Sequence, residues 1–130
     1  MIVSVDTSVW IAFLKKRPES APLAGLLGQN VVEVHPFVLA ELMLGNLGGR
    51  RDGLLADLGM LTGAPALAHD DLLAFVDRHE LANSRLGYVD AHLVASAHTE
   101  RHLLWSFDGS LRRAAERFGL AFDRAAVAHS

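Results

Sequence analysis

A chain of 130 residues is sized for one domain, spanning 1–130, around one core. The formal charge of −3 gives no whole-molecule attraction to nucleic acid, although a local basic patch remains compatible with it. The absence of cysteine excludes disulfides and thiolate metal sites, as fits a cytoplasmic protein, and no run approaches the ~18 apolar residues of a membrane span.

The hydrophobic fraction of 51% points to a sheet covered on both faces. Residues 2–5 read as a buried strand. Asp6-Thr7-Ser8 follows as a turn and helix cap, with Thr7 or Ser8 able to accept from the next amides. Residues 9–14 are apolar all round, so their helix is expected to be buried. Lys15, Lys16 and Arg17 suit its C-terminus and Pro18 stops it; lying after the apolar stretch, these cations also argue against a signal peptide. A short helix over 21–27 and a strand over 31–34 come next. Pro36 then opens a helix that runs to Gly45 or Asn46. Residues 48–53 read as a flexible turn, with helix resuming at Leu54. Residues 64–68 are a weak strand candidate, and Asp70 or Asp71 caps a helix over 72–81. An alanine-rich helix opens at Asp90 and runs to Arg101, a strand covers 103–107, and Ser110 caps a helix over 111–118 that Gly119 stops. Residues 120–122 form the last strand, and the tail from Asp123 is expected to fray. Strands alternating with helices predict an α/β domain with a mainly parallel sheet.

Four acids stand out against this pattern. Asp6 and Asp108 each directly follow an apolar strand, Glu41 interrupts the apolar run 36–44, and Asp90 opens the small-residue helix. In open α/β sheets ligands bind beyond the C-terminal strand ends, where Asp6 and Asp108 belong. Gly45, one turn after Glu41, is expected to leave room for that carboxylate to point inward. An ionised carboxylate in an apolar setting is costly unless a cation or donors satisfy it. Brought together, the four would raise one another's pKa values or recruit a metal. Hard oxygen donors suit Mg²⁺ or Mn²⁺, and such a site suits phosphodiester hydrolysis.

The motifs Asp6-Thr7-Ser8-Val9-Trp10-Ile11, Ala40-Glu41-Leu42 with Gly45, Val89-Asp90-Ala91 with Ala95-Ser96-Ala97, and Ser106-Phe107-Asp108 resemble the PIN-domain signature, and most closely that of VapC-type toxins. The resemblance covers essentially the whole chain, in order. It implies a three-layer α/β/α domain, a Mg²⁺- or Mn²⁺-dependent endoribonuclease acting on RNA, a homodimer and a cognate antitoxin. Asp6, Glu41, Asp90 and Asp108 match the acidic quartet that binds metal and carries catalysis. Ser8 and Ser106 match supporting hydroxyls, Ser106 standing where many relatives have threonine. After Asp108 this chain continues Gly109-Ser110-Leu111, where many relatives have a charged residue and then an aromatic. The apolar helices over 9–14 and 36–47 are expected to leave a groove for an antitoxin segment whose arginine reaches the acids.

Arg112, Arg113 and Arg117 follow the last acid and are candidate RNA phosphate contacts, weighed against a solvated helix face paired with Glu116. The seven histidines show no HExxH spacing, and solvated or core roles fit them better than zinc. Trp10 and Trp105 read as core residues. A response-regulator receiver needs a lysine near a late strand end, yet Lys15 and Lys16 are the only lysines. A haloacid-dehalogenase-type phosphatase needs a second aspartate where Ser8 stands, and no P-loop occurs. The remaining alternatives are a non-catalytic RNA- or antitoxin-binding module of the same fold and a DNA or flap nuclease.

Overall fold

A computed structural model describes residues 1–124. The elements run β1 (Val3–Val5), α1 (Thr7–Leu14), α2 (Pro22–Gly28), β2 (Val32–Glu33), α3 (Pro36–Leu44), α4 (Arg51–Gly59), α5 (His69–Arg78), α6 (Tyr88–Glu100), β3 (Leu103–Trp105) and α7 (Gly109–Arg117). Short 3₁₀ turns at Pro18–Ser20 and Gly48–Arg50 lead into α2 and α4. The sheet is parallel in the order β2-β1-β3, with Val3 opposite both Val32 and Leu103. Parallel strands cannot be joined by tight hairpins, so every connection carries helix, and the layers are α/β/α.

The sheet is short because apolar β-branched runs are short, but its edges extend by single bridges. Val34 pairs with Thr62, and Leu104 with Ala121. The amide of Leu104 donates to the Leu120 carbonyl at 2.7 Å, and that of Phe122 to the Leu104 carbonyl at 3.0 Å. The segment 120–122 is thus a bridged edge rather than a full strand. Residues 64–68 are not a strand: Pro65 removes an amide donor there, and the pairing falls earlier, on Thr62. Residues 48–53 are not an open turn either, since α4 begins at Arg51. The fraying expected beyond residue 124 lies outside the described residues.

The core is built where sequence placed apolar residues on both sheet faces. Val5, Val9, Trp10, Leu93, Val94 and Leu111 are buried together with Leu104 and Trp105. Ala91, Ala95 and Ala97 are buried on α6, which lets that helix approach closely, and Ala91 and Ala95 pack with Leu72 of α5. Gly119 stops α7 at φ +70°, a conformation that only glycine adopts freely. Both tryptophans are core residues, 2% and 3% exposed.

Candidate active site

Asp6 is the fixed point of the site. β1 ends at Val5, and the Asp6 amide donates to the Trp105 carbonyl at 2.9 Å, so the chain leaves the sheet with its register pinned to β3. The Asp6 carbonyl then accepts from Val9 and Trp10, making Asp6 the cap residue of α1 through its backbone. Its side chain makes no cap bond and is free for other partners. It is 6% exposed, which demands donors. Two hydroxyls supply them: Ser106 donates to Asp6 Oδ2 at 2.7 Å and Ser8 donates to the same oxygen at 2.8 Å.

Those hydroxyls are themselves held. Ser8 Oγ accepts from the Phe107 amide at 3.0 Å, and Ser106 Oγ accepts from the Asp108 amide at 2.9 Å. Each hydroxyl has one proton and gives it to Asp6. Their mutual contact at 3.4 Å follows from sharing one acceptor. The loop after β3 is therefore stitched to the loop after β1. Neither Thr7 nor Ser8 caps α1 as expected; Ser8 serves Asp6, and Thr7 donates to Glu41 Oε1 at 2.7 Å.

Asp108, not Ser110, caps α7. Its Oδ2 accepts from the Leu111 amide at 2.9 Å, while Ser110 accepts from the Arg113 guanidinium at 3.2 Å. Asp6, Asp108 and Glu41 thus share one arrangement among the described residues. One carboxylate oxygen is engaged by protein donors, and the other carries no hydrogen bond.

Asp90 differs. α6 begins at Tyr88, so Asp90 is its third residue and not its opening. Its pKa is raised from 3.8 to about 6, first by burial and then by the charges of Asp6, Asp108 and Glu41 in that order; a hydrogen bond from the Gly87 backbone acts the other way. Four carboxylates from four elements therefore share one electrostatic site. Only Asp6 is buried and Asp90 is half-buried, whereas Glu41 and Asp108 are exposed, so the burial cost falls on two of the four. Gly45 makes no room for Glu41: a Cβ there would meet only the Leu42 and Glu41 carbonyls, at 3.5 and 3.7 Å.

The donor chemistry fits a divalent cation: hard oxygens, an uncompensated cluster of negative charge, and one unengaged oxygen on each of three acids. Among the described residues no three acidic or histidine side chains group tightly enough to enclose an ion. The fit therefore lies in charge and donor type rather than in a closed coordination shell.

Residues 3–117 match the PIN domain family. This chain belongs to the PIN-domain family. Within it the chain is of the VapC type: it is 40% identical over 121 residues to "Ribonuclease VapC32" of Mycobacterium tuberculosis in strains CDC 1551 / Oshkosh and ATCC 25618 / H37Rv, covering 92% of this chain and 95% of each relative.

The PIN fold separates the three arginines that follow Asp108. Arg113 and Arg117 line a groove with Arg85, which sequence had not singled out. Arg112 is turned away from them and lines another cavity with Glu19, Glu116 and Arg124. Of the histidines, His102 pairs with Glu33 at 2.7 Å and His92 is buried at 1% exposure with neither ring nitrogen hydrogen-bonded among the described residues. No helix among the described residues is long and apolar enough to cross a membrane.

Proposed function

We propose that this VapC-type protein is an endoribonuclease, the toxin of a toxin–antitoxin pair, hydrolysing RNA phosphodiester bonds with Mg²⁺ or Mn²⁺. The observation that carries the site assignment is the buried Asp6 carboxylate held by Ser8 and Ser106, with Asp108 on the same loop as Ser106. It is supported by the raised pKa of Asp90, which burial and then the charges of Asp6, Asp108 and Glu41 push up. Carboxylates that repel one another at a strand-end site gain from a cation and then from the polyanion that cation admits. When bound at Asp6, Asp90 and Asp108, with Glu41 direct or through water, the metal supplies charge neutralisation at the phosphate and acidifies water.

The chain's own residues do the rest. Ser8 and Ser106 hold Asp6 Oδ2 and so aim Oδ1. Thr7 does the same for Glu41. Hydrolysis joins a water oxygen to phosphorus and breaks one P–O ester bond, and the water's proton must go to a base. One carboxylate of the four takes it, and Glu41, which Thr7 positions, is suited to orient the water.

The chain acts as one domain in the cytoplasm, as a homodimer. The exposed apolar residues Ile11, Leu14, Met43 and Leu44 on α1 and α3 suit an antitoxin segment. A pull-down from the host that finds no small partner encoded beside this gene would count against that pairing.

The test is cleavage of end-labelled cellular RNA with Mg²⁺, with Mn²⁺ and with EDTA, beside Asp90→Asn. Discrete metal-dependent products absent from the variant are expected. A folded wild type that binds RNA without cutting it would indicate the binding module instead, and cleavage of DNA flaps in preference to RNA would indicate the DNA nuclease.

A further inference from the structure

Three arginines converge where the protein's charge gives no reason for them. Arg85, Arg113 and Arg117 line one groove of about 390 Å³ with Ser84, Ser110 and Asn83. No carboxylate lines it, and among the described residues none of the three guanidiniums forms an ion pair. Arg117 donates to the His79 carbonyl at 2.6 Å and Arg113 to Ser110, and Arg85 has no hydrogen bond among the described residues. Their charge is thus uncompensated on the side that faces the groove.

The walls of the groove belong to the elements that carry two of the acids. One wall is the loop before α6, five residues ahead of Asp90 at Arg85; the other is α7, which starts immediately after Asp108. The Arg113 guanidinium lies over Gly109, the residue after Asp108, where a Cβ would approach it to 3.2 Å. Arg85 and Asn83 lie on a loop with left-handed backbone, at φ +65° and +67°.

We propose that this groove is a track for the phosphates of single-stranded RNA, leading the chain to or from the bond cut at the acids. The inference rests on the ribonuclease reading above. A cationic groove that tracks the backbone suits a flexible single strand, whereas A-form duplex is held across its wide minor groove. The acids alone repel the substrate, so binding energy must come from elsewhere, and these guanidiniums are free of ion pairs among the described residues.

The experiment measures binding of a labelled single-stranded RNA in EDTA across a range of KCl concentrations, so that affinity is read without cleavage. Arg85→Gln, Arg113→Gln and Arg117→Gln are compared with wild type, with thermal melts to establish folding. Each is expected to weaken binding and to lower the log–log salt slope by ~0.7, the value for one phosphate contact on a single strand. Arg112→Gln removes the same charge from the same helix outside the groove and should keep the wild-type slope. Wild-type slopes in all three groove variants would overturn the track, as would an equal loss in Arg112→Gln, which would mean bulk charge alone. Preference for duplex over single strand would overturn it as well. Metal-dependent cleavage by wild type, measured separately, tests the ribonuclease reading, so a failed track and a failed nuclease give different results.

Discussion

Replacing Asp90 by asparagine should stabilise the protein while abolishing cleavage. Its carboxyl titrates near 6 in the fold against an ordinary 3.8, so the folded state holds that proton more tightly than the unfolded chain. A raised carboxyl pKa means that stability falls as pH rises from ~4 to ~6, and the full cost persists above that window. A difference of about 2 in pKa corresponds to at most ~3 kcal/mol, and partial solvent access reduces this to ~1–2 kcal/mol. The side-chain amide of the Asp90→Asn variant would keep an oxygen for the Gly87 backbone and lose the charge that Asp6, Asp108 and Glu41 oppose. Metal-free melts at about pH 7 should therefore place Asp90→Asn above wild type by ~3–10 °C, and at about pH 4 the two should coincide. Saturating Mg²⁺ should reverse the order, since ligand at ~100 times its Kd stabilises wild type by ~2.7 kcal/mol and the variant has lost a ligand. A variant less stable than wild type at neutral pH, or a gain that ignores pH, would refute the shared electrostatic site.

Other substitutions probe the supports. Ser106→Ala removes one donor from buried Asp6 and the acceptor for the Asp108 amide; chemical denaturation should show a cost of ~1–3 kcal/mol, and cleavage should fall ~10- to 100-fold. Ser106→Thr keeps the hydroxyl and should retain most activity. Gly63→Ala drives a methyl into the Glu33 carboxylate, whose side chain is 16% exposed and bound to His102, and urea melts should show a loss of ~1–3 kcal/mol. In a Glu33→Ala background that loss should shrink to within ~0.5 kcal/mol. His92→Leu replaces two buried ring nitrogens without partners by apolar volume, and calorimetry should find it more stable by ~1 kcal/mol.

The sequence carried the acids because their signal is local. Asp6 and Asp108 each follow an apolar run directly, and a parallel sheet sends such residues to one edge. That Ser8 and Ser106 support them came only through the resemblance, and which acid each serves was not legible. Ser106 reaches Asp6 across 100 positions, and whether its hydroxyl serves Asp6, caps a helix or faces water is decided by strand order alone. The cap of α7 shows the same limit. Ser110 and Asp108 are both good N-caps, and the choice falls to Asp108 because Ser106 holds its amide and so directs its side chain at Leu111. The weak strand over 64–68 failed for a chemical reason present in the sequence, the missing donor of Pro65.

The arginines show where helical periodicity helps and where it stops. At 3.6 residues per turn Arg113 and Arg117 share a face and Arg112 is rotated about 100° away, so the split between two cavities was available from spacing. Arg85 was not, because it sits on a loop whose left-handed turns at Asn83 and Arg85 have no sequence signature beyond one asparagine. Yet the loop is tied to α6 and the other two arginines to α7, and those helices start beside Asp90 and Asp108. The elements that carry Asp90 and Asp108 therefore also carry the arginines on the two walls of the groove. A negatively charged chain can in this way present a positive approach to a negative centre, which is the arrangement a polyanionic substrate requires.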